Sequence, residues 1–376
     1  MEKIFETLRI ALKAKSPKHL NMVIGFDGFI DEIIHPVDKR LDSEHFTRIE
    51  TIYDFAKRVE KAQGLSTNIE MFPVIKKIGG NGPIMCNALS KHQGELSYIG
   101  ALGYPKIEHV FEQMKDDVDL YSIANPGHTD ALEFNDGKLL FGKMATLNDI
   151  TYDTLLSRLG KEKMISLLNT CDLFAMVNWS MIPHMTELWA HMIEDLIPHL
   201  DVKAKKPILF VDLADPEKRE NKEIQKALDL LKSFGSHFRV ILGLNKKEAY
   251  DVANVLRLFD TQALKQMQIA LKDLNIALYH YLNIEAVVIH PVDRSCVVLN
   301  GIYEEALGPY VSKPKLTTGA GDNFNAGFVL GLLLGLDAKQ ALLTGMGTSG
   351  FYVRNAKSPT YDELIEFIND WQLSKV

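Results

Sequence analysis

Cysteine is scarce in this chain: Cys86, Cys171 and Cys296 are the only three among 376 residues, far apart and with no CxxC pair. That excludes a zinc ribbon or a disulfide framework and points to a reduced, cytoplasmic setting. Long apolar runs are lacking too. The most apolar stretch, Ala326 to Leu336, covers 11 residues, against the roughly 20 that a bilayer-crossing helix needs, so it reads as a buried helix and no membrane partner is expected. The first twenty residues alternate charged and apolar side chains at helical spacing, without the uncharged core of a signal peptide. Charge of one sign never accumulates: 42 Lys and Arg face 49 Asp and Glu, for a net charge of −7, and no basic run occurs. Nucleic acid is therefore not an expected partner, because its recognition needs a basic face. Two familiar phosphate motifs are missing as well. No GxxxxGK followed by Ser or Thr occurs, and Gly319-x-Gly321 is followed by Phe324 where a dinucleotide fingerprint needs a small residue. What these absences leave is a small-molecule partner.

What is present suits a packed α/β protein. Hydrophobic residues make up 46% and charged residues 24%, enough apolar side chains for a sizeable core. Short runs rich in β-branched or aromatic residues predict strands at Met22–Phe26, Leu96–Ala101, Asp172–Asn178, Pro207–Leu213, Phe238–Leu242 and Glu285–His290. Helical spacing lies between them, as in Ile224, Ala227, Leu228, Leu231 and Phe234, or Ala249, Val252, Ala253, Leu256 and Phe259. Such alternation is that of βαβ units around a mostly parallel sheet. Residues 35–78 and 128–144 break the rhythm. The latter holds Asn135-Asp136-Gly137 between two strand-like runs, a hairpin signal that a parallel core does not easily accept. Parts of these two regions are expected to form a small β lid on a single domain spanning 1–376.

The densest chemistry is Leu316-Thr317-Thr318-Gly319-Ala320-Gly321-Asp322-Asn323-Phe324. The glycines predict irregular backbone up to Asp322 and a helix after it. Free N–H groups and the positive end of the helix dipole make such a junction an anion site. A carboxylate there repels phosphate unless it has another task, and taking a proton from an attacking hydroxyl is one; a plain helix cap is the alternative. Asn245-Lys246-Lys247-Glu248 follows a strand and reads either as a cap or as two oxygen ligands for Mg²⁺. His184, Glu187, His191 and Glu194 at helical spacing read as a solvated helix face. Trp179 reads equally as core or as a stacking surface.

These strings, in this order, resemble the ribokinase/PfkB family of sugar and nucleoside kinases. The resemblance implies a doubly wound, mostly parallel sheet flanked by helices and carrying a small lid, and transfer of a phosphoryl group from ATP to a hydroxyl of a sugar or nucleoside-like acceptor. By resemblance, Asp322 is the catalytic base, and the backbone of Gly319, Ala320 and Gly321 is the anion hole. Asn245 and Glu248 resemble the family's NxxE motif for Mg²⁺. Gly79, Gly80 and Asn81 resemble the sugar-site glycine motif, with Ile84 where relatives carry asparagine. Asp31 or Asp27 stands where relatives bind sugar. Asn245, Thr318, His290 and Arg294 fall at the nucleotide side, although His290-Pro291-Val292-Asp293-Arg294-Ser295 replaces the family's Gly-rich loop. Leu316 stands in place of a carboxylate that helps hold a monovalent cation, which speaks against a K⁺ requirement. A homodimer through the lid is the expected assembly. An ADP-dependent kinase or a non-catalytic sugar or nucleotide sensor on the same fold is the alternative.

Overall fold

The computed structural model describes residues 2–376. Nine strands form the main sheet: β1 (Asn21–Phe26), β5 (Glu95–Gly100), β6 (Asp119–Ser122), β9 (Leu173–Met176), β10 (Ile208–Asp212), β11 (Arg239–Leu244), β12 (Ala286–Ile289), β13 (Arg294–Leu299) and β14 (Ile302–Leu307). Their order is β14-β13-β12-β11-β10-β9-β1-β5-β6. All neighbours from β6 to β12 run parallel, while β13 and β14 are antiparallel additions at one edge. The six strands expected from sequence are all present.

Side-chain alternation explains why helices cover both faces. Val23, Phe174, Leu209, Leu242 and Val287 belong to one core cluster, whereas the adjacent Ile24, Ala175, Phe210, Ile241 and Val288 belong to another. A sheet apolar on both faces needs two helical layers. Helices between 152 and 282 supply one; the terminal helices and Asn81–Ser90 supply the other. Among the described residues no helix is long and apolar enough to cross a membrane.

A second, five-stranded sheet contains β2 (Phe29–Arg40), β3 (Phe46–Arg48), β4 (Met71–Gly79), β7 (Gly127–Phe134) and β8 (Gly137–Lys143). The hairpin at Asn135-Asp136 is there, with Phe134 opposite Gly137. The second sheet begins at Phe29, earlier than the sequence pattern places it, so Asp31 sits inside a strand. β4 escaped the pattern because Pro73 interrupts it; Pro73 pairs with Ile34 at a register shift, where a missing N–H costs least. A small core of Ile34, Ile49, Leu132 and Phe134 holds this sheet together.

Three further expectations are corrected. The helix carrying Asp322 starts at Ala320, because Gly319 alone, at φ 87°, takes up the bend. Phe259 lies beyond the helix Lys246–Val255. The segment after β12 turns at once into the β13–β14 hairpin, which the expectation of strict βαβ alternation passed over.

Candidate active site

The carboxyl ends of β1, β9, β10, β11 and β12 converge with the start of the helix Ala320–Leu333. A parallel sheet gathers ligands at this edge. Asp27, just past β1, is buried and saturated with donors. Its carboxylate accepts from Asn81 N at 2.9 Å, Gly82 N at 2.9 Å and Asn178 Nδ2 at 2.6 Å, and Tyr98 Oη stands 3.3 Å away. Burial pushes Asp27 up to about 6 against the pull of those donors. Asp27 therefore pins the first turn of Asn81–Ser90 to the end of β1. The glycines of Gly79-Gly80-Asn81-Gly82 follow from that crowding: a Cβ would come within 2.3 Å of Asp31 Oδ1 at Gly79 and 2.8 Å of Asp27 Oδ2 at Gly80.

Asn81, whose backbone is held by Asp27, donates from Nδ2 to Asp322 Oδ1 at 2.9 Å. Two residues far apart in sequence thus meet at the expected base. Burial raises Asp322 to about 8; the Asn81 hydrogen bond opposes the rise, and the charges of Asp27 and Glu248 add to it. Its other oxygen, Oδ2, makes no side-chain hydrogen bond with the described residues. Asp31 is less deeply buried, raised by burial and relieved by Lys77 and the Thr129 hydroxyl on the neighbouring strands of the second sheet.

Asp212 ends β10 and accepts from Ala214 N at 2.9 Å and Asn325 Nδ2 at 2.8 Å. It is raised well above the usual carboxylate range by burial, then by Glu248 and Asp322. The Asn-x-x-Glu pair forms a capping box: Glu248 N donates to Asn245 Oδ1 at 2.9 Å, and Glu248 accepts from Asn245 N at 2.8 Å and from Asp215 N at 3.0 Å. Both carboxylate oxygens thus have one backbone donor each, and a cation would use their remaining lone pairs or an intervening water. The buried oxygens Asn178 Oδ1 and Asn325 Oδ1 have no partner. Repelling carboxylates beside orphaned amide oxygens suit a hard, oxygen-seeking cation, although no cluster of three His, Cys, Asp or Glu among the described residues is arranged as a ready metal cage.

A cavity of about 360 Å³ adjoins Gly321, lined by His290, Val292, Tyr310, Phe324, Met346 and others. His290 stacks on Phe324 with centroids 4.7 Å apart. Burial lowers it to about 4, and its Nε2 is unpartnered. Asn245 and Thr317 also line this cavity; Thr318 and Arg294 do not. Arg294 instead pairs with Asp293 at 3.0 Å and Glu305 at 3.1 Å. A larger, open depression of about 890 Å³ lies on the second sheet near Arg48 and Arg58, away from the buried carboxylates. Trp179 is core, its Nε1 donating to Thr186 Oγ1 at 3.0 Å, and His184 and Glu187 are exposed on their helix. Sequence reasoning passed over Tyr98, Asn325, Ser349 and Tyr352. Only the three-residue spacing of the last two hinted at a shared helix face.

Comparison with known proteins matches residues 9–371 to the prokaryotic ketohexokinase family. A ketohexokinase from Haloferax volcanii is 27% identical over 352 residues, covering 93% of this chain and 91% of its own. The nucleoside kinase of Methanocaldococcus jannaschii, an archaeal member of the ribokinase family, shares the fold with a TM-score of 0.59 at 14% identity, covering 94% of this chain and 100% of its own. Arabidopsis thaliana ribokinase, solved with ribose and ATP, does so with a TM-score of 0.61 at 13% identity, covering 94% and 99%. The chain belongs to the prokaryotic ketohexokinase family, on the ribokinase fold, and is a sugar kinase, a phosphotransferase with an alcohol group as acceptor.

Proposed function

We propose that this protein transfers the terminal phosphoryl group of ATP to a hydroxyl of a ketohexose, with Asp322 as general base. The observation that carries the base assignment is the Asn81–Asp322 contact, which holds one carboxylate oxygen and leaves the other at the positive end of the Ala320–Leu333 helix. The family match supports the acceptor class, and the relative solved with ribose and ATP supports the donor.

The chemistry follows from charge. The acceptor hydroxyl gives its proton to Asp322 while its oxygen bonds to phosphorus and the bond to the departing nucleoside diphosphate breaks, taking its electron pair. The N–H groups of Gly319 and Gly321 meet the charge on the transferring group, while Ala320 N is held by Thr317 O at 3.1 Å. Asp212, Asn245 and Glu248 would hold Mg²⁺, through water for the capped pair; when bound, it neutralises phosphate charge and relieves the carboxylate repulsion. The apolar cavity beside His290 takes the nucleotide base. Of the two candidate sugar ligands, Asp31 is favoured, because Asp27 is already saturated with donors. The lid, which carries Asp31, closes over the acceptor and excludes water. Exposed Phe72, Val74 and Ile75 on β4 and Leu140 and Phe141 on β8 support a homodimer through this sheet.

The test is a panel of ketohexoses, aldoses and nucleosides with ATP or ADP, run on wild type and Asp322→Asn. Wild type is expected to phosphorylate a ketohexose with ATP. The variant, still able to cap its helix, should lose roughly 10²–10⁴ in kcat while keeping nucleotide affinity. Equal turnover by the two folded proteins removes Asp322 from the base role.

A further inference from the structure

The helix Ala338–Asn355 grips the anion loop from beneath. Tyr352 Oη donates to the Thr318 carbonyl at 2.8 Å, and Ser349 Oγ donates to the Ala320 carbonyl at 2.9 Å. The two residues are three apart and so share one helix face. One position on, the Val353 carbonyl accepts from Lys315 N at 2.8 Å and Leu316 N at 3.4 Å. One helical turn therefore holds the backbone from 315 to 320.

Peptide planarity gives this grip a direction. In a trans peptide the C=O of one residue and the N–H of the next point opposite ways. Drawing the Thr318 oxygen down toward Tyr352 turns the Gly319 N–H up, away from the supporting helix. Drawing the Ala320 oxygen down toward Ser349 does the same for the Gly321 N–H. Neither N–H has a backbone partner among the described residues, whereas Ala320 N is already bonded to Thr317 O at 3.1 Å. The free donors are the ones the hydroxyls aim. Contact is close: a Cβ at Gly319 would lie 2.9 Å from Tyr352 Oη. The phenol is 9% exposed. Burial and the charges of Asp322 and Asp31 raise it to about 12, so it remains a donor at any working pH.

We propose that Tyr352, seconded by Ser349, is a positioning residue for phosphoryl transfer: its hydroxyl holds the Thr318 peptide in the orientation that directs the Gly319 N–H at the transferring group. This rests on the kinase reading above. Tyr352→Phe keeps the ring and its packing and removes only the oxygen. Since losing an oxyanion donor outright costs about 10²–10³ in kcat, a misaimed one should cost less, about 10–100-fold. The KM of both substrates should stay within about 2-fold, because charge on the phosphoryl group grows only in the transition state. Ser349→Ala, the milder variant, should lose about 3–10-fold in the same pattern.

Amide hydrogen exchange without substrate gives a readout independent of any acceptor: the bonded amides of Lys315, Leu316 and Ala320 should exchange faster in Tyr352→Phe, with helix 338–355 unchanged. Wild-type kcat together with wild-type exchange overturns the proposal. So does a loss confined to KM, which would make Tyr352 a substrate contact, and so does faster exchange along the whole helix, which would make the hydroxyl a general structural support. Should wild type phosphorylate nothing in the panel, the kinase reading fails, and the exchange comparison still decides whether Tyr352 orients the loop.

Discussion

Asp27 and Asp31 stand four residues apart and are the same side chain, yet their surroundings separate them. Three hydrogen bonds from backbone and amide donors occupy Asp27, while Asp31 has one hydroxyl and a nearby lysine. A saturated carboxylate is a bracket; an under-used one at a cleft can take sugar hydroxyls. Asp322 differs from both, because burial lifts it from an ordinary 3.8 to about 8. The native carboxyl thus keeps its proton at pH values where the unfolded chain has lost it. Folding gains from this group at low pH, and the gain is lost as pH climbs from about 4 to about 8. Asp322→Asn is neutral throughout, so its melting temperature relative to wild type should rise across that window and level off above it. A difference flat from pH 4 to 9 would show that Asp322 ionises normally. For the free enzyme, kcat/KM should correspondingly increase with pH through the same range.

At the scale of elements, the loop between β14 and the Ala320–Leu333 helix is fastened by bonds to the helix Ala338–Asn355. Leu316 offers no charge, and the Val353 carbonyl is met by two backbone N–H groups. Turnover should therefore be the same in sodium, potassium or tetramethylammonium buffers. Strong activation by K⁺ would mean that the loop needs a cation in spite of these bonds. The helix Lys246–Val255 illustrates how one short motif does two jobs. Its capping box satisfies the orphan donors of the first turn, worth about 1 kcal/mol, and the same fold of backbone sets Glu248 beside Asp212.

For the whole molecule, the contrast between the two sheets governs motion. The main sheet is sealed between two large apolar layers, whereas the second sheet's own core cluster is small, built on Ile34, Ile49, Leu132 and Phe134. Little buried area means low local stability and opening without global unfolding. Amides of 130–144 should exchange rapidly in the free protein and slow once a ketohexose and a non-hydrolysable nucleotide are both bound. Unchanged protection at saturation would make this sheet a fixed wall rather than a lid.

Local pattern determined much of this protein. Period-two apolar runs between helical stretches are set by backbone geometry, so six strands of the main sheet, the Asn135-Asp136 hairpin and the cap at Asn245 could be read directly from sequence, as could the glycine-rich loop before Asp322. Arrangements between distant segments could not. β4 is disguised by Pro73 until β2 accommodates it at a shift in register. The choice between Asp27 and Asp31 depends on donors from Asn81, Gly82 and Asn178 that arrive from other elements. Asn81 reaches Asp322 across 241 residues, and Tyr352 reaches Thr318 across 34. Periodicity records which face of an element is buried, a property of neighbours along the chain. Which polar atoms meet there depends on sheet order and helix packing, and these form only when the chain closes on itself.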